Sequence, residues 1–222
     1  MLVAHHLIKL LDVADKAGLI LEEISIVPYA NPIGLSQQLL GTHIGRFSID
    51  TGRNFNRDFI DMGPLVAKRI ANLLTSDPSE NVRIIRRALL AEADSLISIK
   101  EESEMKRILY RMACISDIVI DLHCDSDAIL HMYMNSRLWP GLSDLASELR
   151  SECQLLAPST GFDSFDEACS CPWSDLQDRF PSHPIPMGCE SVTVELRGES
   201  DVSSTFSLKH IAIPLRQISK FS

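Results

Sequence analysis

The sequence predicts an α/β domain with a mixed sheet flanked by helices, and three observations predict it. Ser191 to Gly198 alternates β-branched and polar residues, the pattern of a strand with two different faces. Ile118 to Ile120 is a short β-branched run that reads as a strand buried on both faces. Between the two ends of the chain lie several stretches whose apolar residues recur at helical spacing, so strands and helices are interleaved. With 222 residues, 45% hydrophobic and 23% charged, the chain is long enough for one substantial core and ordinary in composition for a globular domain.

Leu2 to Ala17 predicts an amphipathic helix with Leu7, Leu10, Leu11 and Ala14 on one side and Gly18 as its stop. No capping residue precedes it, and a helix without an entry signal points to a missing upstream segment. His5 and His6 are adjacent on that helix, so they point to different sides and cannot chelate together. Ile24 to Val27 reads as a strand closed by the turn-rich Pro28 to Gly34. Residues 39 to 59 form a long loop with three arginines, Arg46, Arg53 and Arg57, able to wrap an anion. Helical patterns follow at Gly63 to Leu74, Asn81 to Ile97 and Ser103 to Ile115. In the second, Arg83, Arg86 and Arg87 read as a solvated face.

After the strand at Ile118 the polar residues Asp121, His123, Asp125, Ser126 and Asp127 arrive together. Ligands collect at the carboxyl ends of strands in α/β sheets, so this is where a catalytic or metal-binding group is expected. His123 has two readings: a neutral imidazole ligating zinc and oriented by Asp121 or Asp125, or a hydrogen-bonded histidine at a strand end. Ala128 to Met134 reads as extended, with His131 as core or cleft wall. Leu142 to Arg150 reads as a helix with Ser143 as cap, and residues 151 to 190 as irregular. Within them Cys169-Ser-Cys171 has a spacing poor for zinc and reads as plain loop.

The net charge of −9 argues against a nucleic-acid partner, which would need clustered Lys and Arg. No apolar run approaches the ~20 residues of a membrane span, and no secretory signal opens the chain. Six scattered cysteines without a CxxC pair fit reduced thiols and a cytoplasmic location.

Four phrases stand in order along the chain: Pro28-Tyr-Ala-Asn-Pro-Ile-Gly34, Asp50-Thr-Gly-Arg-Asn-Phe-Asn-Arg-Asp58, Asp121-Leu-His123 and Val192-Thr-Val-Glu-Leu196. Together they resemble the succinylglutamate desuccinylase/aspartoacylase family, relatives of the zinc carboxypeptidases. The resemblance implies a zinc-carboxypeptidase-like fold over residues 1–200, missing its first strands, with an atypical basic tail at 201–222. It implies a zinc-dependent hydrolase that removes an acyl group from an N-acyl amino acid or a related amide or ester. His123 would then be the last of three zinc ligands, and Asn56 and Arg57 would hold the substrate's carboxylate. Arg46 would polarise the scissile carbonyl. Glu195 would take the proton from the attacking water and pass it to the leaving amine. The expected partner is a small anionic acylated substrate, with self-association through an exposed sheet edge. In the family the first two zinc ligands come from a His-Gly-x-Glu-like motif before the first helix, and no such motif stands in this sequence. The resemblance therefore also carries an alternative, a catalytically inactive, N-terminally truncated remnant or anion-binding module.

Overall fold

The computed structural model describes residues 1–161 and 163–203; the basic tail falls almost wholly outside them. The elements run α1 (Leu2–Lys16), α2 (Pro32–Ser36), β1 (Gln38–Leu39), β2 (Thr42–His43), α3 (Gly63–Ile70), α4 (Pro78–Ser95) and α5 (Glu101–Cys114). They continue with β3 (Ile118–Asp125), β4 (Leu130–Asn135), α6 (Trp139–Leu149), β5 (Cys153–Ala157), α7 (Phe165–Arg179) and β6 (Glu190–Gly198). Four strands make a mixed sheet in the order β3-β6-β4-β5, in which β3 runs parallel to β6, β4 antiparallel to β6, and β5 parallel to β4.

Strand alternation sorts the sheet's residues onto two faces with different covers. Val192 and Val194 of β6 face the same way as Leu130, Met132 and Met134 of β4, and α6 buries them with Leu138, Leu142, Leu145 and Leu149. The opposite face meets α7, whose Cys169, Trp173 and Leu176 join a larger core with α3, α4 and α5. Trp173 lies so close over Gly188 that a β-carbon there would stand 2.2 Å from the indole ring. Only glycine fits beneath the indole.

Arg86 departs from the solvated face expected for it. Its guanidinium donates to the Ser116 carbonyl at 3.3 Å, the Asp117 carboxylate at 2.6 Å and the Gly188 carbonyl at 2.7 Å, so α4 ties together the starts of β3 and β6. Arg83 and Arg87 do lie exposed, paired with Glu80.

Several expectations are corrected. Ile24 to Val27 forms no strand, since among the described residues no segment pairs with it. Residues 151–190 contain β5 and the fifteen-residue α7, so Cys169 and Cys171 sit on a helix. Helix α6 starts at Trp139, and Ser143 lies inside it donating to the Pro140 carbonyl, not capping it. Nor is β3 buried on both faces: Ile120 and Leu122 are each 39% exposed. The cause is its place in the sheet, because among the described residues β3 has a ladder partner on one side only and α6 packs on β4 and β6. An edge that carries apolar side chains is a template for pairing. Sedimentation analysis is expected to show dimers or larger species growing with concentration, and Ile120→Lys to return the chain to monomer. A wild-type chain that stays monomeric at high concentration would contradict this.

Candidate active site

Glu195 stands on the face turned toward α7, near the end of the β6 ladder. In register, β3 sets His123 beside it and β4 sets His131 on its other side, so the three form one row on the face turned toward α7. Immediately beyond, the ladder breaks: Leu196 and Arg197 of β6 stand opposite the single Cys124, and Arg197 takes a left-handed φ of 89°. This is a β-bulge, a device that ends regular pairing and re-aims side chains next to functional sites.

The imidazole of His123 is held on both sides by carboxylates. Its Nε2 donates to Asp121 Oδ2 at 2.7 Å, and its Nδ1 lies 3.7 Å from Glu195 Oε1. Asp121 and His123 are two residues apart on one strand, so the alternation that puts them on one face also makes the bond. Burial alone would lower the imidazole's pKa. The hydrogen bond and charge of Asp121, with Glu195 and Asp166, outweigh it and hold the pKa above the ordinary histidine value. Burial raises the pKa of Glu195, against the pull of His123, His131 and Arg46. Its Oε2 is buried without a hydrogen-bond partner, a costly state for a carboxylate oxygen. His131 is buried as expected, with Nδ1 donating to the Ile129 carbonyl at 2.9 Å.

The first turn of α7 brings the loop residues toward this row. Asn56 Oδ1 accepts from the Phe165 backbone N–H at 2.8 Å, and the next residue, Asp166, is a buried carboxylate whose charge acts on His123. Burial raises the Asp166 pKa, with Asp121 adding to the rise, while the Ser164 hydroxyl donates to it at 2.6 Å. Phe55 N–H donates to the Arg46 carbonyl at 3.1 Å, so a hairpin places Arg46 beside Asn56, and its charge acts on Glu195. Arg57 Nη1 donates to the Asn56 carbonyl at 2.5 Å. A cleft of about 720 Å³ opens next to this loop, lined by Asp50, Arg53, Asp58, Phe59, Lys106 and Tyr110 among others, but by none of Arg57, His123 or Glu195. The chemistry of the row lies outside that cleft, and we place the candidate site on the row because the perturbed groups converge there.

Two residues of this neighbourhood escaped the sequence reading. Asp166 opens a helix whose apolar periodicity is interrupted by Pro172, and Lys106 looks like any surface lysine of α5. The Ser164-x-x-Glu167 spacing of a capping box was the signal available for the first; in the structure the Ser164 hydroxyl instead bonds the Asp166 and Glu167 carboxylates.

Zinc would need three protein ligands. His123 suits the role, since a carboxylate on one ring nitrogen is the usual support for a metal-binding other nitrogen. Among the described residues, however, no three His, Cys, Asp or Glu side chains stand together as a metal site. The described residues thus do not complete a zinc centre.

Two solved structures match this arrangement of strands and helices over 99% of the chain. One is a protein from Shewanella amazonensis SB2B assigned to the succinylglutamate desuccinylase/aspartoacylase family, with a TM-score of 0.83 and 26% identity. This chain has that family's fold. The other, from Shewanella frigidimarina NCIMB 400 and assigned as succinylglutamate desuccinylase/aspartoacylase, matches with a TM-score of 0.81 and 24% identity. The chain spans 60% and 58% of those two proteins' own lengths. No protein-family model and no curated protein sequence matches it. The resemblance read from four short phrases is borne out, and so is the mixed sheet flanked by helices. Among the described residues no helix is long and apolar enough to cross a membrane.

The row of the family fold also makes a statement about pH. A histidine whose folded pKa is raised stabilises the fold fully below its unfolded value of about 6.5, and that stabilisation is lost as pH rises through the folded value. The thermal midpoint is therefore expected to fall as pH rises above about 6.5 through the raised pKa of His123, and His123→Gln to flatten that slope. An unchanged slope in the variant would show that His123 is not the group.

Proposed function

We propose that the chain carries the water-activating and anion-holding groups of a hydrolase that removes an acyl group from an N-acyl amino acid or a related amide or ester. The observation that carries this reading is the buried, unpartnered carboxylate oxygen of Glu195 beside His123, in one register row at the carboxyl ends of β3 and β6. A carboxylate of raised pKa at such a strand end is suited to general-base work near neutrality. Glu195 takes the proton from the attacking water and returns it to the leaving amine. Asp121 fixes the orientation of His123. Asn56, tied to the first turn of α7, and the planar fork of Arg57 suit the recognition of a substrate carboxylate. Arg46 faces the developing negative charge on the carbonyl oxygen.

Zinc is the cofactor that the family likeness implies, and His123 is the described residue that would hold it. Bound there, it would polarise the carbonyl and activate water. No step above is drawn through it, because the described residues do not complete its ligand set. That same observation favours a second reading, an anion-binding module without hydrolytic activity.

Zinc content after dialysis and hydrolysis of N-succinyl- and N-acetyl-amino acids, measured with and without added zinc, separate the two. Stoichiometric zinc with turnover supports the hydrolase. Binding of the acyl amino acid without zinc or turnover supports the module, and neither binding nor turnover removes both.

A further inference from the structure

From its place in the fold, we infer that Lys106 of α5 is the positioning residue for the Asn56–Arg57 pair, holding the backbone of the anion-recognising loop next to its anchor on α7. The inference rests on the reading of Asn56 and Arg57 as the substrate-carboxylate pair. Lys106 Nζ donates to the Arg57 carbonyl at 2.6 Å and stands 5.3 Å from the centre of the Phe59 ring. The ammonium thus spans the turn from Arg57 to Phe59, with a charge-assisted hydrogen bond at one end and a cation–π contact at the other.

What lies between those contacts explains why the turn needs holding. Asp58 has a left-handed φ of 59°, a conformation that costs free energy in a non-glycine residue and persists only where its surroundings impose it. Phe59 is buried and its N–H donates to the Asp163 carbonyl at 3.1 Å, which fixes the end of the turn. At the other end, Asn56 Oδ1 is fixed by the Phe165 N–H at 2.8 Å. Between these anchors Lys106 takes up the carbonyl of Arg57, the residue whose side chain must be aimed. Burial pulls the Lys106 pKa below the ordinary lysine value, with Arg53 adding to the fall, and the carboxylates of Glu102 and Asp58 offset part of it. Lys106 also lines the 720 Å³ cleft. A methionine there would keep the aliphatic stem and lose the donor; an arginine would keep a donor and a cation.

The test uses succinate as the probe and the full chain as the protein. NMR titration is expected to show succinate shifting the Arg57 signals in wild type, with Lys106→Met binding about ten-fold more weakly and Lys106→Arg recovering most of the loss. Amide exchange at Arg57, Asp58 and Phe59 is expected to accelerate at least ten-fold in Lys106→Met, while exchange in the sheet stays as in wild type. Equal succinate affinity in wild type and Lys106→Met would overturn this inference alone. No binding by wild type would overturn the carboxylate reading and this inference with it. Weakened binding without recovery in Lys106→Arg would also overturn it, since a donor at that place would then not be what matters.

Discussion

Glu195→Gln is expected to lower turnover of an N-acyl amino acid by about 100- to 10,000-fold, the usual range for loss of a general base. KM should change little, because on the proposed reading the substrate carboxylate is held elsewhere, by Asn56 and Arg57. The amide is close in shape to the carboxylate but cannot accept a proton from water. Stability should hold or rise, since the substitution replaces a buried carboxylate whose Oε2 has no partner with a neutral group. Activity within a few-fold of wild type would show that another group activates water. Loss of activity with loss of fold, read by circular dichroism, would show that the carboxylate is structural.

Trp173→Ala is expected to cost about 3–5 kcal/mol, the range for emptying a buried aromatic site. Trp173 is 1% exposed, seated on the Gly188 backbone and part of the larger core, so its removal empties a packed, buried site. Against a total stability of about 5–15 kcal/mol, this is a large share. Urea denaturation should show the midpoint falling with the slope unchanged. The effect should also reach the site, because the same helix donates the Phe165 N–H to Asn56 and carries Asp166, whose charge acts on His123. A loss below about 1 kcal/mol would mean that the core closes over the gap, contrary to the packing seen here.

The parts of the fold that were legible in the sequence are those whose signals are local. Strand β6 alternates cleanly, α4 and α5 repeat at helical spacing, and the polar cluster after Ile120 marked the strand end that carries His123. Other features depend on what packs against a segment. An apolar run such as Ile118 to Ile120 looks alike whether or not a helix covers it, and here its Ile120 is left exposed. Ile24 to Val27 has strand residues but, among the described residues, no partner to pair with. Helix α7 is buried through small and polar residues, Cys169, Ser170 and Ser174, and carries Pro172 inside it, so neither periodicity nor breaker rules find it. The candidate site divides the same way. His123, Glu195, Asn56, Arg57 and Arg46 were visible as motif residues, while Asp166 and Lys106 gain their roles from contacts made by elements distant in sequence.

The bulge after Glu195 sets a rule for how this chain can vary. Side-chain direction along a strand depends on the parity of the residue count, so one residue more or less exchanges inside for outside. The ladder spends its one extra residue where Leu196 and Arg197 face Cys124. Replacing Arg197 by another residue leaves the count intact, and with it the pairing of Gly198 with Asp125 at the end of the ladder. Removing it would leave Leu196 alone opposite Cys124 and shift the chain that leaves β6 by one residue against β3. At this point the chain tolerates a change of letter far better than a change of length.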